Sequence, residues 1–198
     1  MKNILLACFL FSLIFALYFL VSGSPVYIVF FHFALLFAAL FFLFKKDWKS
    51  TLKSIGIPGN FRNNIAWTAI GFFSIIILTM VLNLVMPYLF GIQDSDKIVD
   101  KVSTLPTYLL FFAFLVAPFT EELFFRAFLS SRFGMIASSV LFSFSHFAYG
   151  SIIEIVGTFV LGMFFCIIYK YSKSIVPCIA IHFLYNLVSL ILMGMIFQ

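Results

Sequence analysis

Six side chains in the C-terminal half are of types that do chemistry, at spacings that can bring them together. Glu121 and Glu122 are adjacent, and Arg126 follows the second by four residues. On a helix, Glu122 and Arg126 share a face and can pair, while Glu121 points about 100° away. One carboxylate is then neutralised and the other stays free for reaction. His146 ends a stripe of Ser139, Ser143 and His146, and Cys178, His182, Asn186 and Ser189 share one face of the last apolar run. A carboxylate and an imidazole converging in a dry pocket can activate water as a general base. A second imidazole, with an amide one turn on, can donate hydrogen bonds to an oxyanion. Together these roles describe hydrolysis of an acyl or peptide bond. Neither a Gly-x-Ser-x-Gly nucleophile elbow nor a His-Glu-x-x-His zinc motif occurs.

The elements that must carry these residues follow from composition. Hydrophobic residues make up 64% of the 198 and charged residues 10%, with 31 Phe. Soluble chains average roughly 45–50% and about 25%. So few charges cannot cover a soluble fold, so the solvent is lipid. Disorder and a nucleic-acid module are excluded. The three cysteines (Cys8, Cys166, Cys178) lie scattered in apolar runs and read as core residues rather than a disulfide framework. A membrane helix needs about 20 apolar residues, and the runs 4–22, 26–44, 65–90, 105–131, 135–149, 152–171 and 175–197 qualify, the fifth being short. The predicted fold is all-α: a polytopic transmembrane helical bundle of about seven spans. It forms one integral-membrane domain over 1–198, with the motif-bearing core at 116–187 and the active site within the membrane.

Charge placement gives the expected orientation. With the N-terminus cytoplasmic, Lys2, Lys45, Lys46, Lys49, Lys53, Arg62, Arg132, Lys170 and Lys173 fall on the cytoplasmic side, against Lys97 and Lys101 outside. This is the positive-inside pattern, and it predicts an external C-terminus in a cell-membrane protein. The run after Lys2, ending in Ser22-Gly23-Ser24-Pro25, also resembles a signal peptide. Its length, and the span that follows directly, favour a retained helix.

Ionisable residues inside spans cost roughly 2.5–3.5 kcal/mol each and mark function. At 1.5 Å per residue, Glu121, His146 and His182 all lie ~14–16 Å from the cytoplasmic ends of their spans. Three helices thus bring Glu, His and His to one level. Pro118 lacks a backbone donor and is expected to kink the helix or restart it with Thr120 as N-cap. His32 reads as a packed or snorkelling residue and Glu154 as interfacial. Ser139 and Ser143 read as helix-packing residues, and the Phe excess as lipid-facing bulk. Cys178 shares the His182 face and is placed where substrate could touch it.

Glu121-Glu122-Leu-Phe-Phe-Arg126, Phe142-Ser-Phe-Ser-His146 and His182-Phe-Leu-Tyr-Asn186 resemble the EExxxR, FxxxH and HxxxN motifs of the CPBP intramembrane proteases. That family includes CAAX prenyl endopeptidases and bacteriocin-processing proteins. The resemblance implies an integral-membrane endopeptidase acting on a membrane-associated peptide or protein, in which Glu121 and His146 activate water. It implies that His182 and Asn186 stabilise the oxyanion, and that Glu122, Arg126 and Phe142 support the site. Metal-free, glutamate-type chemistry with no cofactor is expected; zinc on Glu121, His146 and His182 is the alternative. Ala127 stands where the family often has Gly, and the short chain puts prenylated substrates in doubt. The expected partners are the lipid bilayer and a peptide or protein substrate, with no nucleic acid. The competing reading is a non-enzymatic transporter or immunity-type binding protein using the same polar centre. A proton-coupled transporter is expected to show internal repeats or paired broken helices; the sequence shows one broken segment and no repeat.

Overall fold

The structure is a computed structural model that describes residues 1–45 and 47–195. Lys46 of the basic loop, and residues 196 and 197 of the predicted last span, lie outside the described residues. Apolar runs become helices, as lipid requires when every backbone group must be satisfied within the chain. The order is α1 (Lys2–Val21), α2 (Tyr27–Leu43), α3 (Trp48–Ser54), α4 (Phe61–Phe90), α5 (Asp96–Ser103), α6 (Thr107–Leu115) and α7 (Ala117–Glu121). A π-helical segment, Glu122–Ser130, then leads through α8 (Ser131–Phe133) to α9 (Met135–Ser145), α10 (Ile152–Ser172) and α11 (Ile175–Leu192). Among the described residues four helices are long and apolar enough to cross a membrane, or up to six if each bent pair counts as one span. The chain is a multi-pass membrane protein, but the count of seven is not reproduced. The run 135–149 holds only an eleven-residue helix, closed by a 3-10 turn at Phe147–Tyr149. The run 105–131 is divided at Val116, because Pro118 has no amide to continue the α6 ladder.

The core gathers where α4, the π segment, α10 and α11 meet, around Ile75, Leu123, Phe165, Ile175, Cys178 and Ile181. Large exposed apolar side chains line α1 and α4, consistent with lipid-facing bulk. Small residues let α9 and α10 approach: a Cβ on Gly162 would meet Ser139 Cα at 3.1 Å. Ser143 Oγ donates to Ile155 O at 2.6 Å across the same pair, while Ser139 Oγ donates to Met135 O within α9.

Each end of the bundle is stitched. At the basic end, Ile175 N donates to Ile55 O (3.0 Å), Ser174 Oγ to Gly56 O (3.1 Å) and Asn63 Nδ2 to Ser172 O (3.2 Å). The close approach needs glycine at Gly56, whose φ is +81° and whose Cβ would collide with the Lys173 carbonyl. At the other end, the buried Asp94 carboxylate caps α10. It accepts from Ile152 N (2.6 Å), Ile153 N (3.2 Å) and Ser151 Oγ (2.9 Å), with Lys97 Nζ at 3.9 Å. Burial pushes the Asp94 carboxyl up, but these donors and the Lys97 charge outweigh it and hold it below the usual carboxylate range.

Candidate active site

The two glutamates sit where α7 passes into the π segment, a geometry that is rare and frequent at functional sites. The wider turn leaves carbonyls without α-helical partners, and hydroxyls take them up. Ser138 Oγ, from α9, donates to Phe125 O at 2.6 Å, and Ser130 Oγ donates to Arg126 O at 2.8 Å. Thr120 is not an N-cap: the helix restarts after Val116, with Pro118 in its first turn. Its hydroxyl donates to Ala117 O at 3.0 Å instead.

Glu122 and Arg126 pair as their spacing predicts, Oε2 lying 3.0 Å from Nε with both side chains fully buried. The approach is off the N–H direction, and none of the three guanidinium nitrogens has a hydrogen-bond partner among the described residues. The cation is instead enclosed by rings, with Phe142, Phe165 and Phe125 centroids 4.3, 5.3 and 5.8 Å from its Cζ. Glu122 also takes its other oxygen to His182, Oε1 to Nδ1, at 2.9 Å. That acceptor assigns the proton to Nδ1 of His182 and leaves Nε2 directed at Glu121 Oε2, 3.7 Å away.

On the opposite side of Glu121 stands His32 of α2, its Nε2 3.6 Å from Oε1. His32 is buried rather than snorkelling, and its Nδ1 lies 2.8 Å from Thr120 Oγ1. Because the Thr120 hydroxyl already donates to Ala117 O, it accepts from Nδ1–H. The free carboxylate is therefore held between two imidazoles, each with its Nδ1 proton engaged elsewhere. Both separations exceed a direct hydrogen bond.

His146 caps α9 with Nδ1 2.9 Å from Phe142 O, again leaving Nε2 free. Its ring stacks on Tyr149 at 6.0 Å and meets Phe142 edge-on at 4.8 Å. It reaches Glu121 across a cavity of about 110 Å³, whose lining includes His32, Glu121, Ser145, His146 and Tyr149. That volume admits several waters. Asn186, half-buried on α11, donates to Ala113 O at 3.0 Å and retains a second N–H. Phe142 thus touches both the Arg126 cation and the His146 ring. Cys178 is fully buried, with Sγ on Phe165 O, so it does not face a substrate path. Among the described residues no three His, Cys, Asp or Glu side chains converge closely enough to hold a metal ion.

The residue that sequence reasoning missed is His32. Its signal was the cost of an imidazole in a span, with no polar partner nearby along the chain.

A search of curated proteins and a search of solved structures each found no match. A family model does match: Rce1-like, described as type II CAAX prenyl endopeptidase Rce1-like, over residues 103–188. That range contains all three motifs and every predicted site residue, while His32 lies before it. Over residues 103–188, somewhat less than half of the chain, the sequence is thus similar to the Rce1-like type II CAAX prenyl endopeptidases.

Proposed function

We propose that the protein is an intramembrane endopeptidase that hydrolyses a peptide bond with a water activated by Glu121 and His146. The observation that carries this reading is the Glu121 carboxylate, buried between the Nε2 atoms of His32 (3.6 Å) and His182 (3.7 Å) on the wall of a water-sized cavity shared with His146. In the step, Glu121 takes one proton from a water whose other proton is held by His146 Nε2, and the water oxygen bonds to the carbonyl carbon. The tetrahedral oxyanion accepts from the spare N–H of Asn186 and from Nε2 of His182, which donates as the imidazolium paired with Glu122. The C–N bond then breaks, and the proton held by the base passes to the leaving amine. Arg126 offsets the Glu122 charge, and His32, held by Thr120, positions Glu121. The basic loops lie on the cytoplasmic side, with the N-terminus there and the C-terminus outside.

The test compares membranes carrying the parent chain with membranes carrying Glu121→Gln, by mass spectrometry of membrane-associated peptides. Substrates accumulate uncut in the variant, and parent cleavage persists in excess EDTA. An identical peptide set in both membranes would refute the hydrolase reading and leave the polar centre to a binding or transport role.

A further inference from the structure

We propose that the catalytic cavity is entered from the membrane face opposite the basic loops, so that the bond it hydrolyses lies in a polypeptide segment displayed on the non-cytoplasmic side. This rests on the hydrolase reading above for its chemistry, on separate geometry for the end at which the cavity opens, and on the positive-inside orientation for which side that end faces.

The two ends of the bundle are told apart by contacts. Lys2 Nζ lies over the Phe41 ring, so the start of α1 and the end of α2 share the basic end. The Ile55, Gly56 and Asn63 bonds to the α10–α11 turn bring the 47–62 segment, Lys170 and Lys173 to that same end. The other end holds Asp94, Lys97 and the start of α10, tied through Ser151 and through Lys97 Nζ to Gly150 O at 3.3 Å.

The cavity runs to this second end. Beyond Glu121, His32 and His146, its lining continues to Tyr27 at the start of α2, Lys101 at the end of α5, and Ala148 and Tyr149 after α9. Of these, Lys101 and Ala148 are exposed. Depth agrees. His32 is five residues from the first residue of α2 and eleven from its last, ~8 Å against ~16 Å. Because Ser143 bonds Ile155 O, His146, three residues further on, stands beside the first turn of α10.

A larger hollow of about 830 Å³ opens at the basic end, between Ser54, Ser130, Ser131, Lys170 and Lys173, but none of the site residues lines it. Leu123, Phe165, Cys178 and the ring-enclosed Arg126 are all buried and fill the core around the site. The reacting carboxylate is thus reached past Tyr27, Lys101 and Tyr149. A polypeptide secreted or anchored with its segment outside can present a bond there, whereas a cytoplasmic tail meets the closed end.

The experiment uses the full chain in sealed membrane vesicles of each sidedness. Ala148→Cys and Lys170→Cys are made with Cys8→Ser and Cys166→Ala, and each is treated with a membrane-impermeant maleimide. A quenched-fluorescence peptide library is added in parallel to vesicles of the otherwise unaltered chain, with Glu121→Gln as the blank. Ala148→Cys labels at least tenfold faster in right-side-out vesicles and Lys170→Cys in inside-out ones, and Glu121-dependent cleavage follows the Ala148 side. Labelling of Ala148→Cys from the cytoplasmic side overturns the proposal, as does cleavage only in inside-out vesicles, which leaves the hydrolase reading standing. Expected labelling, with no cleavage from either face or in detergent, upholds the entrance and counts against the hydrolase reading instead.

Discussion

Replacing Arg126 tests how the site is held together. The guanidinium is fully buried, its charge is met by Glu122 at 3.0 Å, and three Phe rings surround it. Removing one partner of a buried ion pair costs about 3–5 kcal/mol, since the other charge is left uncompensated. In Arg126→Met, Glu122 keeps its 2.9 Å contact with His182, which places the loss near the lower figure. Losing the ring contacts adds about 0.5–2 kcal/mol, for a total near 4 kcal/mol. With roughly 2–4 °C per kcal/mol in a chain of this size, the detergent-solubilised variant melts about 8–16 °C below the parent. Because the penalty comes from the orphaned carboxylate, Glu122→Gln added to Arg126→Met recovers about 2 kcal/mol over the additive sum. Arg126→Lys keeps the charge and loses the planar stacking, so it falls between parent and Met. Thermal melts of the parent, Arg126→Met, Glu122→Gln, the double variant and Arg126→Lys decide the matter. Arg126→Met within about 1 kcal/mol of the parent, or strict additivity of the double variant, would show that the pair is not what holds Glu122 and His182 in place.

Three further expectations concern residues around the site. His32→Gln removes the imidazole on Oε1 of Glu121; kcat falls by about 10²-fold, the lower bound for acid–base positioning, with KM unchanged, and a rise in KM alone speaks for a substrate contact. The Asp94 carboxyl sits below its ordinary value of 3.8 in the folded chain, so its stabilisation is complete above that value and is lost as pH falls through the folded one. Asp94→Asn therefore lowers the Tm at neutral pH, and the gap from the parent closes on acidification below about 3.8; a gap independent of pH argues against the cap. Gly56→Ala forces a side chain into φ +81° and against the Lys173 backbone, costing about 2 kcal/mol or more, and a melt unchanged to within a degree contradicts the close approach.

Much of the site could be read in advance because its geometry is local to single helices. Glu122 and Arg126 pair because four residues make one turn, and His182 meets both glutamates because depth along a span is counted in residues. The partners that remained hidden come from distant parts of the chain. His32 finds Thr120 across 88 residues, and Asp94 finds Ser151 across 57, with no periodicity to announce either. The π segment was also invisible, since its carbonyl of Phe125 is satisfied by Ser138 from another helix. The count of seven spans is not confirmed for a related reason: hydropathy runs smoothly through 135–149 while the backbone turns at Phe147. Pro118 was read as a break, but its partner in the break was Val116 rather than Thr120.

The central claim is that Glu121 takes the proton from the attacking water. Its most direct measurement is single-turnover cleavage of one identified substrate peptide by purified Glu121→Gln, beside the parent, with melting curves to show that both are folded. The amide keeps the size of the side chain and cannot act as a base, so the predicted rate falls by at least 10³-fold with peptide affinity and Tm nearly unchanged. A folded Glu121→Gln chain that cuts within tenfold of the parent rate would contradict the mechanism.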